Sequence, residues 1–191
     1  MKRLLLKQAT YLPLIYFIPI ILAGLFASDY HHVGQHVSEL ALTANSTAVT
    51  IFNIGMAMTG ISLILFGTGL LLCFKGRFIL SAVLTILFGI TFVFNAIFLF
   101  GSPWHGLYGI GMCVMLIPFI FLYEQKGLMN GAAPKIISII VGLLSFLYFW
   151  SMVVQLDPVS LRGLTQRLFA TIVFGWYAFV SFKLSRIETQ N

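Results

Sequence analysis

Residues 47–74 read TAVTIFNIGMAMTGISLILFGTGLLLCF and contain no Asp, Glu, Lys or Arg. A helix needs about 20 mostly apolar residues to cross the hydrocarbon core of a bilayer. This run is long enough to do so, and the chain contains five comparable stretches. The six predicted spans lie near 10–27, 47–74, 78–100, 106–123, 136–154 and 166–184.

The composition of the whole chain agrees with this interpretation. Of its 191 residues, 60% are hydrophobic and 8% are charged, whereas an average globular domain has about 25% charged residues. This composition excludes a soluble globular fold. It predicts one all-α membrane domain over 1–191, folded as a bundle of six transmembrane helices.

The net charge of +6 could indicate a nucleic-acid partner. The basic residues, however, occur singly between apolar runs and form no patch with interleaved aromatic residues, which is the pattern typical of nucleic-acid binding. The sequence therefore predicts no nucleic-acid partner. The excess of Lys and Arg is better interpreted as a signal for membrane orientation.

Lys and Arg concentrate in the loops that stay on the cytoplasmic side of a membrane protein. If the N-terminus is cytoplasmic, only Arg162 and Arg167 face outward. Nine basic residues then face inward: Lys2, Arg3, Lys7, Lys75, Arg77, Lys126, Lys135, Lys183 and Arg186. This bias predicts that both termini are cytoplasmic. The predicted outward loops are 28–46, 101–105 and 155–165.

Polar residues collect on the predicted outer side. The set comprises His31, His32, His36, Ser38, Glu39, His105, Arg162, Gln166 and Arg167. Asn53 and Asn95 extend it into the second and third spans at matching depths. Because a buried amide in a bilayer is costly, it suggests a functional site. The two amides either hydrogen-bond to each other across the helices or form the floor of a pocket that opens outward.

The first outer loop has the spacing of a candidate metal site. Asp29, His32, His36 and Glu39 are three, four and three residues apart, so one helical turn would align them on one face. Imidazoles and carboxylates at this spacing could bind zinc, with His32, His36 and His105 as candidate ligands. Alternatively, the histidines are solvated or paired with carboxylates.

The same loop offers candidates for acid–base chemistry. Glu39 and His105 could move protons, and Ser38 is a candidate nucleophile that could equally cap a short helix. Arg162 and Arg167 suit a lipid phosphate or ion pairs with Asp157, Asp29 or Glu39. The predicted ligand-binding residues are Asn53, Asn95, Arg162, Gln166 and Arg167.

Four short motifs carry a family resemblance. They are Ser38-Glu39-Leu40 with Asn53-Ile54-Gly55, the exit of the third span through Pro103 to His105-Gly106, the entry Gly163-Leu164-Thr165-Gln166-Arg167-Leu168, and Trp176 in the last span. Together they resemble the bacterial six-span family catalogued as domain of unknown function 998. That family looks distantly related to the Frag-type membrane proteins of lipid-anchor remodelling.

The resemblance implies a six-helix bundle in a bacterial cytoplasmic membrane and no established chemistry. Carried over residue by residue, it points to Ser38, Glu39, Asn53, His105, Gln166 and Arg167. Trp104 stands where an acidic residue would be expected after Pro103, which puts an Asp–His pair at this turn in doubt.

Three functions compete. The first is an outward-facing site that binds, and could modify, a lipid or amphiphile. The second is a non-catalytic scaffold that binds another membrane protein or a second copy of itself. The third is a small-solute transporter, which would need polar groups across the full depth of the membrane. The inner halves of the spans offer only Thr, Ser, Cys and Gly, and this favours the lipid site.

Overall fold

The computed structural model describes residues 2–187, and this part of the chain is helical with no strand. The all-α prediction is confirmed. The α-helices are α1 (Lys2–Lys7), α2 (Leu12–Phe26), α3 (Ser46–Cys73), α4 (Ile79–Ile97), α5 (Ile117–Glu124), α6 (Ala133–Val153) and α7 (Arg162–Ile187). The 3-10 helices are Gln8–Tyr11, Val37–Leu42, Ile110–Met115 and Val159–Leu161.

Five helices are long and apolar enough to cross a membrane. They are Lys2–Phe26, Ser46–Cys73, Ile79–Ile97, Ala133–Val153 and Val159–Ile187. The first of them joins α1 and α2 through a 3-10 turn. These five helices cover the first, second, third, fifth and sixth predicted spans.

The predicted fourth span, 106–123, is not one continuous α-helix. Gly106 and Gly109 have φ of 71° and 83°, and Leu107 and Tyr108 between them also have positive φ. The left-handed region is incompatible with a right-handed helix, so this stretch is a series of turns followed by 3-10 helix. The α-helix begins only at α5, where Pro118 occupies the first turn and needs no hydrogen-bond donor.

Residues 106–124 nevertheless run beside α4 from end to end. At one end the backbone N–H of Gly106 donates to Asn95 Oδ1. At the other end Glu124 accepts from the backbone N–H groups of Leu80 and Ser81, at 3.0 and 3.1 Å. The carboxylate thereby caps the first turn of α4, and the segment lies antiparallel to that helix.

Helices α3 and α4 pack with their backbones in contact. A Cβ atom on Gly60 would lie 2.5 Å from the carbonyl oxygen of Gly89, and one on Gly89 would lie 2.7 Å from that of Gly60. Small residues permit this close approach in membrane bundles. The tight pair fixes α4, whose opposite face carries part of the candidate site.

The helix ends form two chemically different ends of the bundle. We call one the lysine end, where Arg3 Nε donates to the carbonyl of Ser185 at 3.1 Å and Arg77 reaches the carbonyl of Lys126. We call the other the histidine end, formed by residues 28–45, 98–109 and 154–161. The predicted outer loops therefore lie at one end of the bundle.

Candidate functional site

Arg167 fixes the first loop of the histidine end to α7. Its Nη1 donates to the carbonyl oxygens of His32, Gln35 and Gly163, and its Nη2 donates to Tyr30 Oη. Nη2 also lies 3.2 Å from His32 Nδ1. Planar guanidinium suits such a multiple contact. We call this cluster of Tyr30, His32, Gly163 and Arg167 the arginine clasp.

Gly163 lets the loop lie directly on α7. A Cβ atom there would come within 2.2 Å of the Gln35 carbonyl oxygen and 2.4 Å of the His32 carbonyl oxygen. The backbone N–H of Leu164 also donates to the carbonyl of Val33 at 3.0 Å. The first turn of α7 leaves backbone N–H groups without a partner in the helix, and one of them bonds to the loop.

The electrostatics of the clasp favour neutral side chains around the guanidinium. Burial, followed by the charge of Arg167, lowers the pKa of His32 below its usual 6.5. Burial raises the pKa of Tyr30, although the Arg167 charge opposes this. A neutral imidazole can accept the Arg167 hydrogen bond at Nδ1, whereas a protonated one cannot.

The prediction that a helix aligns Asp29, His32, His36 and Glu39 is wrong. Residues 28–36 form turns and bends, and the 3-10 helix begins at Val37. Glu39 instead accepts from the His36 backbone N–H at 2.7 Å and from Gln35 Nε2 at 3.3 Å. Its carboxylate thus caps this short helix, as in a capping box.

The structure does not bring the candidate zinc ligands His32, His36 and His105 together. Among residues 2–187, no group of three or more His, Cys, Asp or Glu side chains could hold a metal ion. His32 belongs to the arginine clasp. The rings of His36 and His105 both lie near that of Phe100, with ring centroids 6.0 and 5.5 Å from it.

Two amide side chains hold the loops of the histidine end. Gln166 Oε1 accepts from the backbone N–H of Val37 at 2.7 Å, and Asn95 Oδ1 accepts from that of Gly106. The predicted bond between Asn53 and Asn95 is absent, and the Asn95 oxygen accepts from the turn instead. Within the described chain, the side chain of Asn53 makes no hydrogen bond.

The expected ion pairs of the two outer arginines are likewise absent from the described residues. The partners of Arg167 are carbonyl, hydroxyl and imidazole groups. Asp157 accepts from Thr165 Oγ1 at 2.8 Å, while its second oxygen is buried without a partner. Binding of a lipid phosphate by Arg162 or Arg167 stays a prediction, and neither side chain lines the cavities described next.

An apolar cavity of about 220 Å³ lies between α4, α7, the C-terminal part of α6 and residues 106–112. We call it the apolar chamber. Aromatic and aliphatic side chains form most of its wall: Phe88, Phe92, Met112, Tyr148, Phe149, Met152, Phe169, Ala170, Val173 and Phe174. It is open on one side, where exposed Gly109 and Met152 lie at its rim.

A smaller cavity of about 80 Å³ lies beneath the first loop. We call it the polar chamber. Four residues, Tyr16, Phe92, Asn95 and Gln166, line both chambers, so the two chambers are adjacent. Ser38 and His105 line the polar chamber, together with Val37, Phe52 and Met56.

The structure thus brings four of the predicted site residues to one cavity: Ser38, Asn95, His105 and Gln166. Glu39, Asn53, Arg162, Arg167, His32 and His36 do not line it. No Lys, Arg, Asp or Glu lines either chamber within the described part of the chain. The two adjacent chambers therefore combine an apolar wall with neutral hydrogen-bonding groups.

Sequence reasoning missed Tyr16 and Tyr30. Tyr16 is 4% exposed, lines both chambers and packs against Phe174 with ring centroids 4.6 Å apart. A tyrosine within an apolar run has no distinguishing pattern. Tyr30 follows the first span. Its role is visible only from its contact with Arg167, which is distant in sequence.

Comparison with known proteins identifies a family. Residues 12–183 match the model of a family described as "Protein of unknown function (DUF998)". No curated protein and no solved structure matches the chain.

Proposed function

The chain belongs to this DUF998 family, and we propose that it is an integral membrane protein that binds a single-chain lipid or similar amphiphile across the two adjacent chambers. The observation that carries the proposal is that an apolar chamber and a small polar one lie side by side and share four lining residues. An amphiphile has the same division of chemistry. Its chain would occupy the apolar chamber and its headgroup the polar chamber.

The dimensions support one chain and a small headgroup. The apolar chamber of about 220 Å³ exceeds an engineered cavity of about 150 Å³ that stays dry and binds benzene. Its open side would let a longer chain extend beyond the rim. The polar chamber, at about 80 Å³, offers much less room, which favours a headgroup of a few atoms.

We also propose six membrane crossings with both termini in the cytoplasm. A 3-10 helix rises about 2.0 Å and an α-helix about 1.5 Å per residue, so residues 110–124 extend about 25 Å. This length and the contacts at both ends of α4 support a crossing by the fourth segment. The basic residues of the lysine end support a cytoplasmic location for that end, and the cavity would then face the outer leaflet.

The proposal is for binding and includes no chemical step. Ser38 and His105 both line the polar chamber, but no hydrogen bond joins them among residues 2–187. His105 Nδ1 instead faces the Phe98 carbonyl oxygen at 2.9 Å. A serine nucleophile needs a base within hydrogen-bond reach, so the present arrangement favours recognition over catalysis.

The polar groups nearer the lysine end favour binding over transport. Three pairs of them satisfy one another: Thr10 with Ser181 at 2.9 Å, Thr85 with Tyr177 at 3.2 Å, and Trp176 with Ser138 at 3.0 Å. Ser81 Oγ and the side-chain amide of Gln125 are buried without a partner in the described residues. Groups that are paired in this way do not form a continuous polar path from the chambers. Their role is to hold the helices together.

A photolabelling experiment tests the proposed function. The full chain is placed in phosphatidylcholine nanodiscs with a twelve-carbon alkane that carries a diazirine and no headgroup. The proposal predicts saturable labelling of Met112 and Phe169, which line the apolar chamber. Labelling confined to the exposed positions Leu143 and Phe146 would contradict it.

A matched pair of variants sharpens this test. Ala170→Phe fills the apolar chamber, whose wall includes the buried Ala170, and should reduce cavity labelling at least tenfold. Leu168→Phe places the same phenyl ring on the exposed side of the same helix, where Leu168 is 56% exposed, and should leave cavity labelling unchanged. Equal labelling of both variants would overturn the proposal.

A further inference from the structure

The two amides shared by the chambers have a defined orientation. The backbone N–H groups of Gly106 and Val37 can only donate, so Asn95 Oδ1 and Gln166 Oε1 must be the atoms that face them. The NH2 groups of both side chains have no partner in the described part of the chain. Both residues therefore offer hydrogen-bond donors to the cavity they line.

His105 offers the opposite polarity. Its Nδ1 lies 2.9 Å from the Phe98 carbonyl oxygen, and a carbonyl only accepts, so Nδ1 carries the proton. In the neutral imidazole Nε2 is then an acceptor. The hydroxyls of Ser38 and Tyr16 also line the polar chamber without a hydrogen-bond partner among the described residues, and each can donate or accept.

We propose that the polar chamber recognises a carboxyl or carboxylic-ester group at the end of an acyl chain. This inference rests on the proposed function and specifies the headgroup. The group's oxygens accept from the amides of Asn95 and Gln166, and a hydroxyl of the acid or of its alcohol donates to His105 Nε2. A free fatty acid and a monoacylglycerol share this chemistry.

The surroundings disfavour two other common headgroups. A quaternary ammonium has no acceptor for the two amide donors, which would lose their hydrogen bonds to water on its binding. A phosphate is best held by guanidinium or ammonium groups, and no Lys or Arg lines either chamber in the described residues. The volume of about 80 Å³ also leaves no room for a large headgroup.

Competition against the headgroup-free diazirine probe tests the inference. Dodecanoic acid, monododecanoylglycerol and dodecyltrimethylammonium carry the same twelve-carbon chain and differ in the headgroup. We expect the acid, the glyceryl ester or both to displace the probe from Met112 and Phe169 at a concentration at least tenfold lower than the ammonium compound. Displacement by the acid alone or by the ester alone would identify the source of the carboxyl group.

The outcomes separate the two proposals. If all three compounds compete equally, the cavity binds chains and the headgroup inference is wrong. If the ammonium compound competes best, the inferred polarity of the chamber is wrong. If the probe labels no cavity residue, the proposed function itself fails.

Two substitutions reverse the polarity of the donors. Asn95→Asp and Gln166→Glu each keep an oxygen for the loop N–H but replace the NH2 group with a second oxygen. Each should weaken competition by the acid and the ester at least tenfold and strengthen that of the ammonium compound. Labelling by the probe reports that each variant retains the cavity.

Asn53→Asp is the matched control. It makes the same chemical change at a similar depth, but Asn53 lines neither chamber. We expect wild-type competition from this variant. If Asn95→Asp and Gln166→Glu both retain the cavity and behave like Asn53→Asp, the amides do not recognise the headgroup and the inference is overturned.

Discussion

The two faces of α4 show opposite kinds of packing. Towards α3, Gly60 and Gly89 bring the helix backbones into contact. Towards α7, Phe88, Phe92 and Asn95 border the cavity. In a bilayer the hydrophobic effect does not drive helices together, so small residues stabilise an interface through close contact. The aromatic face of α4 lies opposite a segment that is not a regular helix. This arrangement leaves space for a ligand.

The largest expected effect comes from breaking the tight face. Gly60→Leu places a Cβ atom against the backbone of α4, where the carbonyl oxygen of Gly89 would lie at 2.5 Å. A backbone atom cannot move aside as a flexible side chain can. We expect a loss of about 3 kcal/mol or more in the free energy of unfolding, measured by denaturation in detergent.

Gly175→Leu is the control for this change. A Cβ atom at Gly175 would meet nothing within 4 Å, so we expect little loss of stability. Equal destabilisation by the two substitutions would show that the effect comes from glycine replacement in general. The account of the α3–α4 contact would then be wrong.

The arginine clasp should give the next largest effect. Arg167→Met removes the donors to Tyr30 and to the loop carbonyls, which leaves partly buried acceptors unsatisfied. We expect a loss of about 2 kcal/mol and faster proteolysis within residues 28–45. Arg162→Met makes the same charge change without removing these bonds. Similar proteolysis of the two variants would contradict the clasp.

The smallest expected effect is a pH dependence at His32. Because the folded-state pKa lies below 6.5, the unfolded chain binds more protons between the two values. The contribution of neutral His32 is therefore present above about pH 6.5 and is lost as the pH falls towards the folded-state pKa. His32→Asn keeps an acceptor that does not titrate.

Thermal unfolding of wild type and His32→Asn across this pH range measures the difference. The wild type should lose slightly more stability on acidification than the variant. Because His32 is exposed, solvent screening keeps this difference small. A larger loss in the variant would give the opposite sign and contradict the inferred role of the neutral imidazole.

Hydropathy predicted the parts of the fold that depend on apolar length. It identified the positions of the five long helices, but it could not detect that residues 106–109 adopt positive φ. Two of these four residues are Leu107 and Tyr108. One is apolar and the other aromatic, so composition alone places both in a membrane span. Backbone geometry, which hydropathy does not measure, decides the structure of this segment.

The candidate site was predicted in part. Grouping polar residues by their predicted side of the membrane brought Ser38, Asn95, His105 and Gln166 into one set, and all four line the polar chamber. The alignment of Asp29, His32, His36 and Glu39 could not be predicted from their spacing, because residues 28–36 form turns and bends. The contacts of Arg167 with His32 and Tyr30 required the tertiary structure, since they join distant parts of the chain.

The most direct test of the central claim is an experimental structure of the full chain with bromine-labelled dodecanoic acid, since bromine can be located by anomalous scattering. The account predicts the brominated chain in the apolar chamber. It also predicts the carboxyl group within hydrogen-bond distance of Asn95 and Gln166. Bromine found only on the lipid-facing surface, with both chambers empty, would contradict the account.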